Sequence, residues 1–155
     1  MDVFYYWKNY EADLKAGRIG YLKCTPDKAK ELAEGYPDFL WITKTPPGRK
    51  GELQLLAKLK WADKAPVKVK PEPGSVFIYY DAHHPGSVVY TQSGTDTAIA
   101  DVTRWVGGHF PKMAAANFQG HNGQESLRGA ALGELQRIAT GFAPEPFLPP
   151  VEKEA

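Results

Sequence analysis

Along Leu53–Trp61 the chain alternates: Leu53, Leu55, Ala57, Leu59 and Trp61 are apolar, while Glu52, Gln54, Lys58 and Lys60 are polar, and only Leu56 breaks the pattern. A period of two is the mark of a strand with one face buried. Phe39–Thr43 is its natural partner across the loop Thr45-Pro46-Pro47-Gly48-Arg49-Lys50-Gly51, so a hairpin is expected over 39–61.

Upstream, Asp2–Trp7 reads as a strand, Asn9 to Gly17 as a short capped helix, and Ile19–Leu22 as a second strand. Thr25-Pro26 then supplies an N-cap and an N1 proline for a helix that carries Ala29, Leu32 and Ala33 and stops at Gly35. Downstream of the hairpin, Pro66, Pro71 and Pro73 bracket a lysine-rich crossing. Ser75–Tyr80, apolar on both faces, reads as a central strand, and Ser87–Thr91 and Thr97–Trp105 as further strands of a meander.

A last helix is expected from about Gly123 to Thr140, with Asn122 and Glu125 as a capping box and Gly129 and Gly133 marking close packing against another element. The elements imply an α+β fold: one domain over 1–142 built on a curved mixed sheet or partly closed β-barrel, with two N-terminal helices and one C-terminal helix. From Ala143 to Ala155 the Pro-rich and then charged composition reads as a flexible tail.

Composition narrows the function classes. A chain of 155 residues with 43% hydrophobic and 24% charged residues can bury a core without staples. The single cysteine, Cys24, excludes an intramolecular disulfide and fits a cytoplasmic protein; the pattern shows neither a membrane span nor a signal peptide. The net charge of +1 hides an asymmetry, because residues 1–70 hold 14 Lys and Arg against 9 Asp and Glu. Lys44–Lys70 carries eight basic residues and only Glu52 and Asp63 as acids. Such a stretch suits an anionic partner, or equally a sheet face kept soluble by lysine.

Catalytic motifs are lacking. Pro85-Gly86-Ser87-Val88 is not a nucleophile elbow, and the hairpin loop lacks Walker spacing. Asp81, His83 and His84 share one turn, and His109 and His121 come from later loops, so a metal site or a hydrolase or transferase centre would need the fold to bring them together. No cofactor is expected. Asn117-Phe118-Gln119-Gly120-His121-Asn122-Gly123-Gln124 holds four carboxamides and an imidazole, which suits base-edge reading or the capping of a helix.

The order strand, helix, strand, helix, hairpin resembles that of the PUA-like domains, including the EVE and ASCH types. Gly48-Arg49-Lys50-Gly51-Glu52-Leu53-Gln54 is similar to the ASCH signature G-x-K-x-x-E-x-R, with the glutamate one residue early and glutamine where the signature has arginine. The resemblance implies RNA binding or recognition of a modified nucleobase. The expected function is therefore non-catalytic binding of nucleic acid or a nucleotide-like ligand. Lys44, Arg49, Lys50, Lys58 and Lys60 would engage phosphate, and Trp41, Gln119, His121 and Asn122 would line a base pocket. A protein-interaction module is the remaining alternative.

Overall fold

The computed structural model describes residues 1–66, 68–70, 73–119 and 123–148. Eight strands and five helices follow in the order β1 (Asp2–Tyr6), α1 (Tyr10–Lys15), β2 (Tyr21–Cys24), α2 (Pro26–Glu34), β3 (Phe39–Lys44), β4 (Gln54–Ala62), β5 (Val76–Asp81), β6 (Val88–Tyr90), α3 (Asp96–His109), α4 (Pro111–Ala115), β7 (Gln124–Leu127), α5 (Gly129–Ala139) and β8 (Pro144–Pro146). The fold is α+β, with a mixed sheet curled into a half-barrel. No helix among the described residues is long and apolar enough to cross a membrane.

The strands run in the order β2-β5-β4-β3-β1-β7, with β6 added to β4 and β8 to β6. β1 and β3 pair in parallel, which the crossover through α1, β2 and α2 makes possible, and the other pairs are antiparallel. Thr25 caps α2 by accepting from the Lys28 amide at 3.4 Å, with Pro26 in the first turn, as the sequence pattern predicts.

Leu56 is the extra residue of a β-bulge. Ile42 stands opposite Ala57 and Thr43 opposite Leu55, so Leu56 has no partner on β3. A bulge shifts the alternation by one. Leu53 and Leu55 therefore join Phe4 and Trp41 in the core beneath α3, α4 and α5, while Ala57, Leu59 and Trp61 join Val3, Leu40 and Ile42 in the half-barrel interior. The expectation of one buried face is thus corrected: β4 feeds two cores.

Other expectations are corrected as well. Thr97–Trp105 lies in α3, capped by Thr95, whose hydroxyl accepts from the Ala98 amide at 3.1 Å; Ala98, Ile99, Val102, Trp105 and Val106 form its buried stripe. The last helix begins at Gly129, because Gln124–Leu127 pairs with β1 as β7 and places Glu125 opposite Phe4. With α3 and α4 present, the described residues of the second half hold three helices where one was expected. The expected tail contributes β8 through Pro146, and Phe147 and Leu148 pack against the interior core; residues 149–155 lie outside the described residues.

Gly133 does not mark close packing either. A methyl group added there meets nothing within 4 Å, in the exposed middle of α5. Gly133→Ala should accordingly raise stability by about 1 kcal/mol, the helix-propensity difference, seen as a higher midpoint in urea unfolding. An unchanged or lower midpoint would show that the site is not open.

Candidate functional site

Two concavities flank the end of β1, and Tyr6 touches both. The first to consider lies under the β3–β4 hairpin loop. Gly48 and Gly51 adopt φ of 75° and 86°, a left-handed conformation that favours glycine, and the turn between them holds Arg49 and Lys50 outward. Facing this loop, α4 ends in a turn where Asn117 and Phe118 take positive φ and Gln119 follows. Tyr6 ties the two sides, its ring stacked on Phe118 at 5.0 Å and its hydroxyl accepting from the Thr45 amide at 3.2 Å. The result is an open concavity of about 560 Å³ lined by Tyr6, Thr45–Gly51, Asn117 and Gln119.

The basic residues of the hairpin fare differently from one another. Arg49 is fully engaged with acids: Nε and Nη2 bond Glu52 at 2.9 and 2.8 Å, and Nη1 bonds Asp96 at 2.8 Å. These bonds raise the guanidinium pKa and hold Glu52 below the usual carboxylate range. They latch the loop to the start of α3, and Leu53 N–H donating to Thr103 Oγ1 at 2.9 Å fastens it further. Arg49 with two carboxylates carries no surplus positive charge.

Lys44 bonds Glu11; the burial of Glu11 opposes ionisation, but the lysine outweighs it and lowers the glutamate pKa. Lys58 and Lys60 stand over the Phe39 ring at 4.2 and 5.1 Å, and Lys58 also lies 5.1 Å from the Trp41 ring. They are cation–π partners near the far end of the hairpin and do not line the concavity. Lys50 is exposed, makes no ion pair among the described residues, and is the cation the concavity has to offer.

Trp41 is 1% exposed, and its Nε1–H donates to the buried Asp2 carboxylate at 2.7 Å. It belongs to the core, which removes it from any ligand surface. Gln119 lines the concavity, its Nε2 donating to the Asn117 carbonyl at 3.3 Å. His121 and Asn122 lie outside the described residues.

Among the described residues the histidines are not brought together. Asp81 Oδ1 accepts from the His83 amide at 3.1 Å and His84 Nδ1 from the Gly86 amide at 2.9 Å, so these side chains build their own turn. His109 Nε2 pairs with Glu134 Oε2 at 2.6 Å, between α3 and α5. Among the described residues no group of three His, Cys, Asp or Glu is disposed to hold a metal ion.

The second concavity, about 490 Å³, lies between β1 and β2. Its lining includes Lys8, Asp13, Arg18, Tyr21, Lys23, Lys70 and Phe77, none of them picked out from the sequence as binding residues. The available signal was the mixture of aromatic and basic residues in Tyr5-Tyr6-Trp7-Lys8 and Arg18-Ile19-Gly20-Tyr21-Leu22-Lys23, within the positively charged half of the chain.

No protein-family model, curated protein or solved structure matches the chain.

Proposed function

We propose that the protein binds nucleic acid, or a nucleotide-like ligand, without catalysis, at the concavity under the hairpin loop. The observation that carries this reading is the meeting of the hairpin loop with Asn117 and Gln119 around one hollow. Carboxamides present donors and acceptors together, as a base edge requires, and Tyr6 offers an aromatic wall. Lys50 supplies charge for a phosphate, while Arg49 acts chiefly as the strut that holds the loop. In this reading the phosphate contact shrinks from five basic side chains to one or two. Kinship with the PUA-like domains is part of the same proposal, supported by the half-barrel and by the order of its first four elements.

Fluorescence anisotropy with labelled single-stranded RNA and DNA tests it. Lys50→Glu should weaken binding about tenfold whatever the sequence, and log affinity should fall with log salt at a slope of about −0.7 to −1.4, the value for one or two phosphates on a single strand. Absence of binding to either polymer, or an unchanged affinity for Lys50→Glu, defeats the reading.

A further inference from the structure

The cleft between β1 and β2 exists because the half-barrel cannot close. β1 is paired on both edges, to β3 and to β7, so β2 at the opposite end of the sheet finds no free edge there to join. The Tyr5 hydroxyl reaches across and donates to the Lys23 carbonyl at 2.7 Å. The seam is left open beside it, and Asn9 and Asp13 border it from the region of α1.

The chemistry of this seam is one-sided. Among the described residues Lys8, Arg18, Lys23 and Lys70 line it, and Asp13 is the one carboxylate. Both oxygens of Asp13 are already engaged, one accepting from Trp7 Nε1 at 2.6 Å and the other from Arg18 Nε at 2.8 Å. Leaving Lys23 aside, three cations still face one acid, and neither Lys8 nor Lys70 makes an ion pair among the described residues. Like charges gathered in a concave site raise the local concentration of anions.

One wall also carries rings. Lys23 stands directly opposite Phe77 on β5, and Tyr21 packs against Phe77 edge to face, with centroids 5.2 Å apart and planes at 78°. Both rings are only half buried. Half-exposed aromatic surface beside cations favours a ligand that stacks and carries charge. The volume of about 490 Å³ falls within the range of small-molecule sites.

We propose that this cleft is a second binding site, separate from the hairpin concavity, for a small organic anion that bears a planar ring and is about the size of a mononucleotide. The anionic group sits among Lys8, Arg18 and Lys70, and the ring lies against Tyr21 and Phe77. Asp13 holds Arg18 in place and is a positioning residue. A nucleoside phosphate and an aromatic carboxylate share this chemistry.

Isothermal titration of the full chain distinguishes them, using 5′-AMP, 5′-UMP and indole-3-carboxylate as ring-bearing anions and adenosine and inorganic phosphate as the separated parts. At least one ring-bearing anion should bind one to one, and at least tenfold more tightly than adenosine or inorganic phosphate. The double variant Lys8→Ala/Lys70→Ala, two exposed positions whose thermal melting should match the parent, should lose at least tenfold in that affinity, while Lys50→Glu leaves it unchanged. The proposal is overturned if none of the three anions binds, if inorganic phosphate binds as tightly as they do, or if the double variant binds like the parent. Because Lys50→Glu reports on the hairpin concavity, either site can fail without the other.

Discussion

Trp41→Ala should lower the stability of the protein by about 3–5 kcal/mol from the lost ring alone. The same change leaves the Asp2 carboxylate, 4% exposed, without the indole N–H that donates to it, and an orphaned buried acceptor costs about 1–3 kcal/mol more. For a chain of 155 residues this corresponds to a fall of at least about 10 °C in melting temperature. Calorimetry checks it, with Trp41→Phe as the companion: that variant keeps most of the volume, loses only the donor, and should show the smaller of the two penalties. Were Trp41 a stacking platform for a ligand, alanine would alter affinity and leave the melting temperature in place.

Deleting Leu56 should leave the fold intact. Ile42 and Thr43, adjacent on β3, already face Ala57 and Leu55, so without Leu56 the ladder runs on in regular register, and Leu55 and Ala57, now neighbours, still point to opposite faces. Leu53 and Leu55 stay in one core and Ala57, Leu59 and Trp61 in the other, whereas a regular strand that kept Leu56 would turn one set out of its core. A cooperative unfolding transition is expected for the deletion, with no binding of a hydrophobic dye in the absence of denaturant. Leu56→Ala keeps the bulge and only trims a half-buried side chain, so it should cost roughly 1–2 kcal/mol, less than the 2–5 kcal/mol of a buried leucine. A deletion variant that unfolds without cooperativity would contradict the two-core description.

Leu56 also shows how far the sequence could be read. The break in alternation was visible, but a period-two pattern identifies buried positions without saying to which side of the sheet they belong. Only the pairing register does that. The first half of the chain was legible because its signals are local: Thr25-Pro26 begins a helix, and the proline-glycine loop joins two strands. The region from 96 to 109 was misread because Thr, Ile, Val and Trp favour strands, although Ala98, Ile99, Val102, Trp105 and Val106 recur at helical spacing. Glu125 was misread for another reason: β7 is made by pairing with β1, a contact more than a hundred residues away that no local capping pattern can report.

The candidate site followed the same division. The hairpin loop and Gln119 could each be picked out as turn residues, because glycines or polar residues define both turns, and both line the concavity. The fate of the basic residues was not legible. Arg49 is neutralised by Asp96, and Lys44 by Glu11, partners 47 and 33 residues distant. Charge counted along a chain thus overstates charge presented to a ligand.

The last strand gives the sheet a guarded border. Ala143 accepts from Thr91 N–H and Phe147 N–H donates to Ser87, so the odd-numbered backbone groups of this segment turn toward β6. By the alternation of an antiparallel ladder, residues 144 and 146 turn their backbone nitrogens outward, and both are proline. The outer rim therefore has no N–H to offer there, and Glu145 adds a charge beside it. What composition suggested was a loose tail ends the sheet as a stop signal against a neighbouring molecule, one that keeps Val88–Tyr90 from recruiting a foreign strand.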